Sequence, residues 1–418
     1  MSSKWADLRQ LWPFYLSWIF ECFAASCLFT TTVKFMSDEY GKRGVWVGIM
    51  LSSYAIMTIF GNVFMGSMAD KMDPRKVLAF LFGWNALLSL ITAASPNFSL
   101  FFASRILAGA CGNSPPLAFA YVGTRAESVQ ASHLYAAVAS IYSFCYIIIP
   151  IFIGFVSEGL SISSSSPYYL KRFPFFVSTC FSCLAAVLMV TIVPKKDRMI
   201  IVSSNSQFNF ALIRKLACSG MGEVWLSRLC ASWAQLAVSS TLWSLCEGIF
   251  PDEVNFSSRI YHACLSVGGL TALVSQMVLF NLIESRIGTY GGLYLGLFLM
   301  GLGLITYIGA LRLNSYFVLM AVGFVWLGIG FYDVCIPSVI RSKLSLLGDS
   351  DLHSGLNNGI VTSFKSFSQV LSPLVANILF DINREAVYYE AIAACFLGTV
   401  FACLAANKHY AGIFSPKL

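Results

Sequence analysis

The chain predicts an all-α membrane protein in which twelve transmembrane helices form two pseudo-symmetric six-helix bundles. Three observations predict it. Of the 418 residues 57% are hydrophobic and only 11% charged, with a mean hydropathy of +0.73, whereas soluble domains carry about 25% charged residues. The apolar residues fall into continuous runs of membrane-crossing length, about 20 residues each. Features of the first half of the chain return in the second at nearly constant offset.

Taken in order, the runs place spans near 11–31, 45–65, 76–95, 99–122, 131–156, 173–193, 224–246, 258–282, 291–311, 315–339, 355–379 and 388–406. A membrane β-barrel would instead show alternating segments of about 10 residues. The first run is of full span length and contains Glu21 with no small-residue cleavage site behind it, so no cleavable signal peptide is expected.

The connections set the orientation through their Lys and Arg. With the N-terminus cytoplasmic, that side collects sixteen of them, from Lys4 and Arg9 through Lys195, Lys196 and Arg198 to Lys417, and the other side eight. Both termini are therefore expected in the cytoplasm. The sequons at Asn97 and Asn255 fall on the opposite side. The net charge of +7 is then mostly this bias and implies no nucleic-acid partner. The thirteen Cys lie mostly within apolar runs and read as small packing residues, the C-x-x-C of Cys180 and Cys183 included.

The longest cytoplasmic connection, 194–223, divides the chain into bundles at 1–193 and 224–418. The repeat supports that division. Ser143-Phe144 leading to Pro150 and Glu158 matches Ser366-Phe367 leading to Pro373 and Asp381, at an offset of 223 residues. Gly109 followed by Pro116 matches Gly328 followed by Pro337, and Asn281 to Gly288 is a worn copy of a charged turn in the first half.

That turn, Gly66-Ser-Met-Ala-Asp70-Lys71-Met-Asp73-Pro74-Arg75-Lys76, concentrates charge between spans two and three. Its position fits a turn held at the cytoplasmic face by charge and helix-end dipoles.

On this turn above all, the chain resembles the major facilitator superfamily over essentially its whole length. The family's signature reads Gly-x-x-x-Asp-Arg/Lys-x-Gly-Arg-Arg, supplied here by Gly66, Asp70, Lys71, Arg75 and Lys76, with Asp73 at the second glycine and Pro74 at the following base. Arg105 to Gly109 in span four is similar to the Arg-x-x-x-Gly of the drug and proton antiporter branch, and Pro150 and Gly154 are what remains of that branch's span-five motif. Span ten, with Asp333 before Pro337, resembles tetracycline exporters and vesicular amine transporters. The resemblance implies a secondary active transporter, not an enzyme, working by alternating access with a proton as coupling ion. Within it the charged turn, Pro150, Gly154 and Pro373 are expected to gate, and Asp333 to take part in proton coupling.

An ionisable side chain inside a span costs several kcal/mol unless it faces a cavity or a partner. Glu21 and Arg105 are expected to form one coupled pair, Glu21 accepting the proton, against the alternative of a permanent structural ion pair. Arg228 in span seven, a candidate for substrate contact, and Asp333 in span ten lie at similar depth, within pairing reach across a cavity, against the alternative of a gate or packing salt bridge. Lys365 is either a substrate group or a cation snorkelling to the inner face. Asn113, Tyr142, Tyr146, Trp233, Gln235 and Tyr332 are the polar and aromatic candidates for substrate contact. Two acids among aromatics favour a small organic cation or an amphipathic drug-like molecule. The alternatives are a uniporter of an organic anion or metabolite and a non-transporting sensor of the same fold. No cofactor or metal is expected, and the protein is read as a monomer in contact with lipid.

Overall fold

The computed structural model describes residues 2–42, 45–123, 131–159, 171–194, 214, 217–249, 254–313, 316–346 and 354–414. In order its helices are α1 (Ser2–Tyr40), α2 (Val45–Lys71), α3 (Pro74–Ala94), α4 (Phe98–Gly109), α5 (Ser114–Gly123), α6 (Ala131–Gly159) and α7 (Phe173–Thr191). A π-helical segment (Ala217–Met221) then leads into α8 (Gly222–Ile249) and α9 (Val254–Val274). A second π segment (Ser275–Leu279) runs into α10 (Phe280–Leu313), and α11 (Phe317–Leu346), α12 (Ser354–Ile382) and α13 (Ala386–Phe414) complete the chain. The predicted linker 194–223 lies largely outside the described residues.

The starts of these helices are written locally. At α3, Asp73 is the N-cap and its carboxylate accepts from the Arg75 amide at 3.0 Å. Pro74 follows at the first helical position, where its missing N–H costs nothing. These are the two positions at which the turn departs from the family signature, and together they make a conventional helix start. Asn97 caps α4 in the same way, accepting from Leu100 N at 2.9 Å.

Nine helical segments among the described residues are long and apolar enough to cross a membrane. The three predicted spans outside that set are the fourth, the seventh and the eleventh. Span four is not the single helix expected. It breaks between α4 and α5 at Ala110 to Asn113, where Gly112 takes φ +73°. Spans seven and eleven, α8 and α12, carry unusually many polar side chains, among them the buried Arg228, Asn357 and Asn358. Spans eight and nine are separated at Gly288, where φ +70° and ψ 174° interrupt α10.

In the first bundle α1 packs on α6 and α7, and α3 on α4 and α7; in the second α8 packs on α12 and α13, and α10 on α11 and α13. The bundles meet along two seams, α2 against α12 and α6 against α9. Each bundle encloses its own apolar core, around Phe14, Trp18, Leu81 and Phe82 in one and Leu293, Leu304, Val322 and Val339 in the other. Lipid tails are as apolar as these side chains, so association depends on close fit. Gly296 and Gly328 bring α10 and α11 into backbone contact, whereas Gly301 borders open space and serves no such contact. Cys180 and Cys183 are exposed on α7 rather than packed within the bundle.

Candidate functional site

The second bundle gathers most of the predicted charge. Arg228 on α8 donates to the Asp333 carboxylate on α11 in a close ion pair. The guanidinium also lies 5.6 Å from the centre of the Tyr332 ring, and the Tyr332 hydroxyl donates to Ser227 Oγ at 2.8 Å. Lys365, on α12, lies within electrostatic range of both Arg228 and Asp333. No carboxylate among the described residues stands within ion-pair distance of it. This cluster therefore holds two cations and one acid.

Facing it from the first bundle are Tyr142 and Tyr146 of α6, whose hydroxyls are 3.0 Å apart. Tyr142 is within electrostatic range of Tyr54 on its own side and of Asp333 across the divide. Tyr54 donates to Asn113 Oδ1 at 2.9 Å and lies in the field of Arg105. Arg105 is 8% exposed, and its Nε has no hydrogen-bond partner.

The expected Glu21–Arg105 pair does not form. Glu21, 2% exposed, accepts from Asn85 Nδ2 on α3 at 2.7 Å and from Ser182 Oγ on α7 at 2.9 Å. Its carboxylate is thus turned into the α1–α3–α7 group, and neutral donors occupy it. Sequence spacing placed both charges in the same half but could not say which side of α1 Glu21 occupies.

Trp233 is also spent elsewhere. Trp233 Nε1 donates to Glu390 on α13, while Gln235 Oε1 is buried without a partner. Glu390 was missed by the sequence reading. Its signal was available, a lone acid in the apolar stretch Ala386 to Phe396. Its place, on α13 against α8, parallels that of Glu21 on α1 against α7.

Of the gating candidates, Gly66 is buried near the end of α2, Asp70 is half-buried, and Lys71 and Lys76 are exposed. Arg75 Nη1 donates to the Val193 carbonyl at 2.9 Å, and its Nε lies 3.5 Å from Asp73 Oδ2. The bond to Val193 ties the turn to the end of α7, inside the first bundle. Pro150 and Gly154 lie within α6 and Pro373 within α12, the two helices that carry the seams.

At the other ends of the helices stands a residue that the sequence reading counted only as a loop charge. Arg172, 1% exposed, donates to the carbonyls of Ala93, at 3.0 Å, and Ser95, and to the Tyr40 hydroxyl at 3.2 Å. It closes the C-terminal end of α3 against α1.

Two six-helix bundles meeting along two seams, with charged and aromatic groups facing one another between them, define a multi-pass membrane transporter. The chain belongs to the Major Facilitator Superfamily, whose family model matches residues 14–348. It is 23% identical over 399 residues to the quinolone resistance protein NorA of Staphylococcus aureus, covering 95% of this chain and 96% of that protein. It is 22% identical over 397 residues to multidrug resistance protein 2 of Bacillus subtilis, covering 94% and 93%. Among solved structures, the fold is similar to the human organic anion transporter MFSD10 (TETRAN), with a TM-score of 0.66, 16% identity and coverage of 97% and 99%. It is likewise similar to the Escherichia coli fucose:proton symporter FucP, with a TM-score of 0.67, 16% identity and coverage of 96% and 99%.

Proposed function

We propose that this member of the family carries an amphipathic organic solute bearing a negative group, by alternating access and with a proton as coupling ion. One observation carries the reading: Arg105, Arg228 and Lys365 outnumber Asp333 and Glu21, and the Glu21 carboxylate is already held by Asn85 and Ser182. A cationic excess in a site of low dielectric attracts an anion. Arg105 and Lys365 are the groups for it, since Arg228 is already paired. Tyr142, Tyr146 and Tyr332 supply aromatic surface for the rest of the solute, and the drug-resistance relatives support an amphipathic one. Asp333, Glu21 and Arg105 remain the groups for proton coupling.

The same reading takes 1–193 and 224–418 as the moving bodies, 194–223 as their cytoplasmic linker, both termini as cytoplasmic and the working unit as a monomer in lipid. Asp70, Lys71, Arg75 and Lys76 hold the inner end of the first body, while Gly66, Pro150 and Gly154 in the first body and Pro373 in the second shape the helices where the two meet.

The test is uptake into proteoliposomes under an imposed pH gradient, with matched aromatic carboxylates and aromatic amines. Carboxylate transport that responds to the gradient and falls at least tenfold in Lys365→Gln is the expected result. A second reading, an organic cation, is favoured by Asp333, whose side chain is 30% exposed beside Tyr332. Amine transport lost in Asp333→Asn and indifferent to Lys365→Gln would establish it in place of the first.

A further inference from the structure

The repeat that relates Ser143 to Ser366 has a structural meaning that neither the motifs nor the charged cluster explains. Each serine is the thirteenth residue of its helix, Ser143 in α6 and Ser366 in α12. Each is bonded to a side-chain amide on a helix of the opposite bundle. Ser143 Oγ donates to Gln276 Oε1 at 2.9 Å, and Asn62 Nδ2 of α2 donates to Ser366 Oγ at 3.2 Å. All four side chains are buried, none more than 6% exposed.

The backbones are pressed together around both bonds. A Cβ on Gly359 would meet the Asn62 carbonyl oxygen at 2.5 Å, and one on Gly269 would meet the Ser143 carbonyl oxygen at 2.9 Å. Ser363 Oγ donates to Ile59 O at 2.9 Å beside the first bond, and Ser266 Oγ to Ile147 O at 3.3 Å beside the second. Both amides stand where helix geometry is irregular. Gln276 lies in the π segment Ser275–Leu279, and Asn62 Oδ1 accepts from the Asn113 amide at 2.7 Å, at the break in span four. π-Helical turns of this kind concentrate at functional positions.

We propose that Asn62–Ser366 and Gln276–Ser143 are the two pivots about which the bundles rock, a reading that rests on alternating access. At about 1.5 Å per residue, twelve steps place each serine roughly 18 Å along its helix, near mid-membrane. The pairs stand on opposite seams, so a line through both runs in the membrane plane through the middle of the molecule. Rotation about that line opens one face while closing the other and leaves both bonds unbroken. The pivots are unequal, because Asn62 alone is also bonded to the backbone of span four, beside Tyr54 and Asn113.

The experiment reads the exchange between conformations directly, so no substrate is needed. Fluorophores are placed through bio-orthogonal amino acids at the exposed positions 72 and 342, just beyond α2 and on α11, in full-length protein in nanodiscs. Single-molecule energy transfer then gives two distances and their exchange rate. Because the bond is kept in both conformations and in the passage between them, Asn62→Ala and Ser366→Ala should each leave that rate within about twofold while lowering the melting temperature by the worth of one buried hydrogen bond. Ser366→Thr, which keeps the hydroxyl, should restore the melting temperature. The disulfide of Asn62→Cys/Ser366→Cys, formed with an oxidant and checked by intact mass against wild type treated alike, should leave both distances populated and exchanging. Exchange arrested by that disulfide, or a rate raised about fivefold or more in Asn62→Ala or Ser366→Ala, overturns the pivot while leaving the alternating-access reading intact. A single distance in the wild-type chain overturns alternating access itself, and the pivot with it.

Discussion

Arg75 brings a full charge to a position only 9% exposed, and two partners make that tolerable, a hydrogen bond to the Val193 carbonyl and the Asp73 carboxylate at ion-pair distance. Hydrogen bonds to charged groups contribute about 1.5–3 kcal/mol each. Arg75→Ala should therefore lower the melting temperature of the detergent-solubilised protein, while Lys76→Ala, at an exposed site, should leave it within experimental error. A different case stands at the far ends of α10 and α13, where Arg312 grips Glu385 through two bonds of 2.9 and 2.8 Å. Those hydrogen bonds hold the Glu385 carboxyl below its ordinary value of 4.5. A depressed acid contributes stability that is present above its unfolded value and disappears as pH falls through its folded one. The melting-temperature gap between wild type and Arg312→Ala should be constant above about pH 5 and shrink below it. Arg312 is exposed and Glu385 only half-buried, so the gap itself should be small.

At the scale of the element, the break in span four depends on what surrounds it. Gly112 combines a positive φ with a site where a Cβ would lie 2.6 Å from Asn62 Oδ1 and 2.7 Å from Asn62 N. A left-handed conformation costs an ordinary residue about 1–2 kcal/mol, and the crowding adds to it. Gly112→Ala should lower the melting temperature clearly, whereas Gly83→Ala, in open space within α3, should raise it slightly. The sequence carried a signal for the break, Gly112 and Asn113 ahead of Pro115 and Pro116, which the hydropathy of span four as a whole covered. What opens the helix is an amide from α2, a residue 51 positions away. The start of α3 was fully legible, since Asp73 and Pro74 act within one turn of chain. The kink at Gly288 was legible for the same reason, as a worn copy of the first charged turn.

At the scale of the whole molecule, two seams have to hold the bundles together and still let them move. Small residues achieve the first by letting backbones touch. Gly359→Val would set a branched side chain against the Asn62 carbonyl, an atom that cannot swing away. It should separate α2 from α12 and reduce the yield of monodisperse protein on size-exclusion chromatography, with Gly301→Val, in open space, as the unaffected control. The buried charges illustrate the limit of reading a site from depth alone. Arg228 and Asp333 were matched by their depth in spans seven and ten, and the structure brings them together. Glu21 and Arg105 were matched by their shared half, and the structure keeps them apart, because Asn85 and Ser182 take the carboxylate from the other side of α1.

The twelve spans, their grouping into two related halves and the family of the chain were determined by the sequence alone. Hydropathy, the spacing of Lys and Arg, the caps and the internal repeat act over one helix or one turn, and a membrane leaves the backbone few other ways to satisfy its hydrogen bonds. The tertiary structure decided which face each buried polar group presents. A helix exposes a new direction every residue, and its contacts are set by neighbours distant in sequence. That decision sends Glu21 and Trp233 into the walls of their bundles, leaves Arg105 and Lys365 between them, and sets Ser143 and Ser366 opposite their amides on the two seams.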